Sequence, residues 1–170
     1  MQHRGQIVIV TGSSGSGKTT YCEWSMAAAH AQGWDVAGVL SPARFDGAEK
    51  VGIDVVDLRS GERRALAGLR PSELEHGTVG ETGIVTVRWQ FDPESLDWGN
   101  QVLARSAPCD LLVVDELGPL EWLHGQGWIA GLAAVETRAF VTALVVVRPS
   151  LVEIALARWP DAVLMPVETQ

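Results

Sequence analysis

The chain has 170 residues, 46% hydrophobic and 20% charged with no low-complexity tract, which excludes disorder and leads us to expect one domain over residues 1–170 with a closed apolar core. A formal net charge of −8 and an isoelectric point near 4.9 exclude a general nucleic-acid surface, because such affinity comes from basic groups neutralising phosphates; a local basic site stays open. The apolar run at the N-terminus is too short for a signal-peptide core and no segment reaches the ~18 apolar residues of a membrane span, so the expectation is a cytoplasmic monomer with neither nucleic acid nor membrane as partner.

Ile7 to Val10 are continuous and β-branched, the pattern of a strand buried on both faces of a parallel sheet. Lys18 to Gln32 lacks Pro and Gly and reads as a helix closed by Gly33. Asp35 to Leu40 gives a second strand, followed by the turn-rich "SPARFDGAEK". Two extended stretches around Arg59, Ser60 and Gly61, "VGIDVVDLRSGERRAL", predict a β-hairpin excursion. Ala67 to Gly83 has no clear periodicity and reads as a mobile surface loop, with a lid as the alternative. "IVTVRWQF" is the next strand candidate, and Asp92 with Pro93 opens a helix to about Ser106.

Leu111 to Val114 returns to the buried-strand type and runs directly into Asp115 and Glu116. A helix over Trp128 to Val135 and a strand in "FVTALVVV" follow. Ser150 and Glu153 form a capping-box pair before "LVEIALARW", and Ala162 to Val167 supplies a last strand. Strands alternating with helices around one hairpin predict an α/β three-layer domain with a mainly parallel sheet.

Gly12, Gly17, Lys18 and Thr19 match G-x-x-x-x-G-K-[ST], a P-loop, between a strand and a helix as that motif requires. Glycines let successive backbone N–H groups curl around a phosphate, and the helix N-terminus adds positive potential there. The candidate nucleotide-binding residues are therefore Gly12, Ser13, Ser14, Gly15, Ser16, Gly17, Lys18, Thr19 and Thr20. Lys18 would reach the β- and γ-phosphates, and Thr19 would place its hydroxyl on Mg²⁺. Asp115, at the C-terminal end of a buried strand, fits a Walker B partner of that metal. Glu116 beside it could hold and deprotonate an attacking water. The pair could also be plain solvated carboxylates closing a strand.

The P-loop "GSSGSGKTT", then "GVLSPAR" ahead of the hairpin, then "VVDELGPLEW", occur in an order that resembles the small nucleoside-triphosphatase family first described in thermophiles, with the cancer-related nucleoside triphosphatase among its relatives. The resemblance runs from about Gln6 to Val167. It implies a P-loop NTPase domain that hydrolyses the terminal phosphate of nucleoside triphosphates with Mg²⁺, slowly and with broad base tolerance. It gives Asp115 to the metal and Glu116 to the water. Glu121 matches an acidic position that could shape the site or be a solvated charge. Arg44 matches an arginine that could approach the triphosphate and stabilise transition-state charge. Arg148, just beyond "FVTALVVV" at another C-terminal strand end, is a second candidate cation, where the family more often has small polar or histidine-containing sequence. The C-terminal "VETQ" lacks the asparagine- and arginine-containing continuation of relatives.

His3, His30, His76 and His124 are dispersed without ligand spacing, and Cys22 and Cys109 read as free core or near-core thiols. The seven tryptophans read as packing residues, with Trp122 or Trp128 as possible base contacts. The leading function is Mg²⁺-dependent hydrolysis of ATP, GTP and other nucleoside triphosphates. A P-loop small-molecule or nucleotide kinase and a nucleotide-dependent switch or assembly factor share the same residues and remain alternatives.

Overall fold

The computed structural model describes residues 4–71, 84, 86 and 88–169. Among the described residues nine strands form one sheet: β1 (Gln6–Thr11), β2 (Val36–Leu40), β3 (Ala43–Asp46), β4 (Glu49–Asp57), β5 (Arg63–Leu69), β6 (Trp89–Phe91), β7 (Leu111–Leu117), β8 (Thr142–Val147) and β9 (Val163–Pro166). The helices are α1 (Lys18–Ala31), α2 (Pro93–Ala104), α3 (Pro119–His124), α4 (Ile129–Thr137) and α5 (Val152–Arg158). None of the described helices is long and apolar enough to cross a membrane.

The strand order is β6-β5-β4-β2-β7-β8-β1-β9, with β3 on β4. Strands β2, β7, β8, β1 and β9 pair in parallel, so their C-terminal ends share one edge. The remaining pairs are antiparallel. Strand β8 separates β1 from β7, a placement that matters for the site below.

Alternation along the parallel strands divides the core between two faces. Ile7, Ile9, Leu112, Val114, Ala143 and Val145 pack with Trp98, Leu103, Val135 and Ala155 of α2, α4 and α5. Val10, Val113, Leu144 and Val146 pack with Cys22 and Ala29 of α1. The three expected layers are present, with α1 supplying the helical layer on its face. Each fully buried Val, Leu or Ile in these strands contributes about 1.5–3 kcal/mol.

The antiparallel strands build a flap on the phosphate-side edge. Leu40, the last residue of β2, pairs with Val56, so β4 continues past the end of β2 from Val55 back to Glu49. There Ala43 pairs with Ile53, Gly52 with Gly68, and Leu69 with Trp89. The turn-rich "SPARFDGAEK" thus contains a strand, β3. Its side chains are largely exposed, so no buried alternation betrays it.

Other expectations shift as well. Helix α3 was not foreseen. In the stretch read as a strand from Ile84, Trp89–Phe91 is the strand among the described residues, and Phe91 N–H donates to the Ile84 carbonyl at 2.8 Å. Residues 67–69 of the expected loop belong to β5, and 72–83 lie outside the described residues. The Ser150–Glu153 box does not form: Pro149–Leu151 make a 3-10 turn, and α5 starts after Leu151 without a side-chain cap. Asp92 does cap α2, accepting from Ser95 N–H at 2.8 Å.

Gly38 sits in β2 at φ +109°, and a Cβ there would run into the Val113 backbone of β7. Both the left-handed backbone and the close approach demand glycine. Gly38→Ala is expected to lower stability by about 3 kcal/mol or more in urea unfolding.

Candidate active site

The P-loop leaves β1 at Thr11 and enters α1 at Lys18. Gly17 caps α1 in the left-handed region at φ +98°, which lets the chain turn into the helix without a Cβ clash. Ser16 N–H donates to the Ser13 carbonyl at 3.1 Å and closes the loop, while Ser13, Ser14, Gly15 and Thr20 are exposed. Lys18 is buried; its ammonium donates to the carbonyls of Gly12 and Ser13, each at 2.8 Å. The cation is therefore held at the centre of the loop. Ser16 Oγ is buried with no partner among the described residues.

Strand β7 brings the acidic pair to the same edge. Val114 pairs with Val145 and Leu117 with Val147, so the register shifts by one residue across Asp115 and Glu116. Such an irregularity re-aims side chains, and here it sends the two carboxylates to different neighbours. Asp115 turns inward: Oδ2 accepts from Thr19 Oγ1 at 3.1 Å and from Ser41 N–H at 3.2 Å. Ser41 Oγ also donates to the Asp115 carbonyl. Glu116 is half-buried, and its Oε1 accepts from Arg148 Nε at 2.7 Å.

Burial, with Glu116 as a neighbouring charge, pushes the Asp115 carboxyl up to about 7, against the opposing hydrogen bonds of Ser41 and Thr19 and the Lys18 charge. A half-buried hydroxyl and a buried carboxylate with their oxygens 3.1 Å apart form a hard-oxygen donor pair of the kind Mg²⁺ takes alongside substrate phosphates. The donor set therefore fits that ion. Among the described residues no cluster of three His, Cys, Asp or Glu side chains offers an all-protein cage.

Lys50 faces the acidic pair from the flap. Lys50, on β4, lies 5.2 Å from the centre of the Trp89 ring and feels the charges of Glu116 and Asp115. Burial lowers its pKa, and the carboxylates oppose that shift while Arg88 and Arg148 add to it. Arg88 stacks over the same ring at 4.7 Å and donates to the Lys50 carbonyl at 2.9 Å. Arg44 lies on β3 rather than in a loop, pairing with Asp54 at 3.2 Å and donating to the Ala67 carbonyl at 3.4 Å. The structure thus does not bring Arg44 into contact with the P-loop or the acidic pair.

Glu121 is not a solvated charge. Its Oε2 accepts from Gly118 N–H and its Oε1 from Trp128 N–H, both at 2.8 Å, tying the start of α3 to the start of α4. Burial pushes its carboxyl up to about 7 against those hydrogen bonds. Trp128 is 3% exposed in the core and Trp122 stands edge-on to Trp159 at 5.3 Å, so both are packing residues. Cys22 and Cys109 are free, and burial raises both thiols away from thiolate formation.

Sequence reasoning missed Ser41 and Lys50. A serine directly after a buried strand was a usable signal for the first. The second needed the flap.

The family model described as NTPase matches residues 7–126, from β1 through the acidic strand and α3. The chain belongs to this NTPase family. Two relatives are named nucleoside-triphosphatase THEP1: that of Methanopyrus kandleri is 32% identical over 67% of this chain and 58% of its own length, and that of Caldivirga maquilingensis 31% over 70% and 62%. The chain thus spans about three-fifths of these relatives. The solved structure titled "Solution Structure of a Human Cancer-Related Nucleoside Triphosphatase" superposes with a TM-score of 0.68 at 25% identity, covering 95% of this chain and 88% of that one. The NTPase-family match and the superposition together fix the fold as a P-loop one.

Glu121→Ala would orphan two buried N–H groups, and a loss of about 2–4 kcal/mol is expected in denaturant unfolding. The carboxyl is raised from 4.5 to about 7, so the folded state binds its proton more tightly than the unfolded state. The stability it contributes is complete below pH 4.5 and falls as pH rises towards 7. Thermal unfolding across that range should show this slope in the wild type, relative to a Glu121→Gln variant that cannot titrate.

Proposed function

We propose that this NTPase-family chain hydrolyses the terminal phosphate of nucleoside triphosphates, ATP and GTP among them, with Mg²⁺. What supports this reading above all is the Thr19–Asp115 hydrogen bond at 3.1 Å, which joins the P-loop to a carboxylate pair suited to metal and water. The relatives' name, nucleoside-triphosphatase, points the same way.

The backbone N–H groups of Gly12, Ser13, Ser14, Gly15, Ser16, Gly17, Lys18, Thr19 and Thr20 take the phosphates, helped by the positive end of α1. Lys18 exchanges the carbonyls of Gly12 and Ser13 for β- and γ-phosphate oxygens. Thr19 and Asp115 hold Mg²⁺, which when bound offsets charge on those oxygens. Glu116 takes a proton from a water as that water attacks the γ-phosphorus; the bond to the β–γ bridging oxygen breaks, and the diphosphate leaves. Arg44 is assigned to transition-state charge from the flap, exchanging Asp54 for a phosphate oxygen.

The enzyme is proposed as a single-domain cytoplasmic monomer whose partner is the nucleotide. A net charge of −8 supports the exclusion of nucleic acid.

The test is phosphate release from ATP, GTP, CTP and UTP with Mg²⁺ and no acceptor. The wild type should release phosphate from all four. Glu116→Gln should still bind nucleotide while kcat drops about 10²–10⁴-fold, and Lys18→Ala should lose both binding and turnover. Turnover only with an added acceptor would make the chain a kinase, and turnover raised strongly by a partner protein would make it a switch. Substantial activity in Glu116→Gln would remove that residue from the role of base.

A further inference from the structure

The hydrolytic reading leaves Arg148, a cation beside Glu116, without a task. Arg148 follows β8, the strand between the P-loop strand β1 and the acidic strand β7. Val10 of β1 pairs with Val146 of β8, and Leu117, the last residue of β7, pairs with Val147. Arg148 therefore leaves the sheet between Lys18 and Glu116 in the lateral order of the edge.

Its backbone is well fixed. Pro149 confines the residue before it to extended conformations, and Arg148 adopts φ −63° and ψ 147°. Its carbonyl accepts from Leu151 N–H at 2.9 Å as the 3-10 turn closes. From this anchored position Nε donates to Glu116 Oε1 at 2.7 Å, the side chain's one hydrogen bond among the described residues.

A guanidinium carries five N–H donors in a rigid fork. One is spent on Glu116, and 55% of the side-chain surface is exposed, so the Nη groups are free to take another anion. A pair this exposed adds about 0–1 kcal/mol to stability, which is too little to explain it as a structural staple. Lys50 of the flap also feels the charge of Glu116, together with those of Asp115 and Arg148.

We propose that Arg148 is a substrate-reading residue of the catalytic site: Nε holds Oε1 of Glu116, and the Nη groups bind a γ-phosphate oxygen. Oε2 is then left to the attacking water, and the base is aligned when a triphosphate rather than a diphosphate is bound. The inference rests on the hydrolytic reading and adds to it a source of discrimination between substrate and product.

ATP and ADP affinities are measured on Glu116→Gln and on Glu116→Gln/Arg148→Ala, with steady-state kinetics on the wild type, Arg148→Ala and Arg148→Lys. Removing Arg148 should narrow the ATP-over-ADP preference by about tenfold with ADP affinity unchanged, because a charge-assisted hydrogen bond to the terminal phosphate is lost. kcat should fall about tenfold or more in Arg148→Ala. Arg148→Lys should regain part of the ATP preference but little of kcat, since a point charge cannot hold both anions. An ATP-over-ADP ratio or a kcat within twofold of the parent protein would overturn the proposal. A wild type that releases no phosphate would instead overturn the hydrolytic reading beneath it, and the two failures are distinguishable.

Discussion

Thr19 and Asp115 are 96 positions apart, yet their oxygens meet at 3.1 Å. That meeting is the constraint on which the site depends. It requires that β1 and β7 run parallel with their C-terminal ends on one edge, and that β8, inserted between them, keep both in register. The register in turn rests on the apolar runs of all three strands, which are buried on both faces and cannot slip by one residue without exchanging their two packed surfaces. Packing of Val10, Val113 and Val146 against α1, and of Ile9, Leu112 and Val145 against the opposite layer, thus sets the position of a hydroxyl and a carboxylate.

The electrostatic cost of this arrangement is concentrated on Asp115. Burial and the adjacent Glu116 both disfavour its charge, while Thr19, Ser41 and Lys18 favour it. These opposing influences leave a carboxyl that titrates near neutrality unless further positive charge arrives. The protein's own cations are spread around the pair instead of placed on Asp115: Lys18 is held by loop carbonyls, Arg148 by Glu116, and Lys50 by the flap beside Trp89. A divalent cation at the Thr19–Asp115 oxygens would meet the charge where it is least compensated. The same reasoning separates the two neighbours, since Glu116 is more exposed and already paired.

The features legible in the sequence are those whose signal is local. The P-loop, the capping Asp92 and the hairpin turn at Arg59–Gly61 each carry their chemistry within a few residues, and each forms where expected. Ser41 had a local signal in its place directly after a buried strand, but its partner comes from β2 lying beside β7, a fact of sheet order rather than of spacing. Glu121 was hidden because one of its donors is the backbone of Trp128, seven residues on, across a turn. Helix α3 had usable signals, Pro119 at its first position and Gly125 beyond its end, but six residues are too few to show a period. The Ser150–Glu153 pattern misled for the opposite reason: Pro149 draws the chain into a 3-10 turn, so Ser150 never reaches the capping position.

The family match and the fold match cover different parts of the phosphate edge. The family model ends at residue 126, after the P-loop, flap and acidic strand, whereas β8 and Arg148 lie beyond it. The superposition extends over 95% of the chain, and at 25% identity it constrains the backbone more than the side chains. The strand end facing Glu116 is therefore held in place by the fold while its residue type is set less tightly. Under the proposed function an arginine there would couple Glu116 to the substrate's terminal charge without disturbing the sheet, because the residues that hold β8, Ala143 to Val147, are buried and apolar and end one position before it.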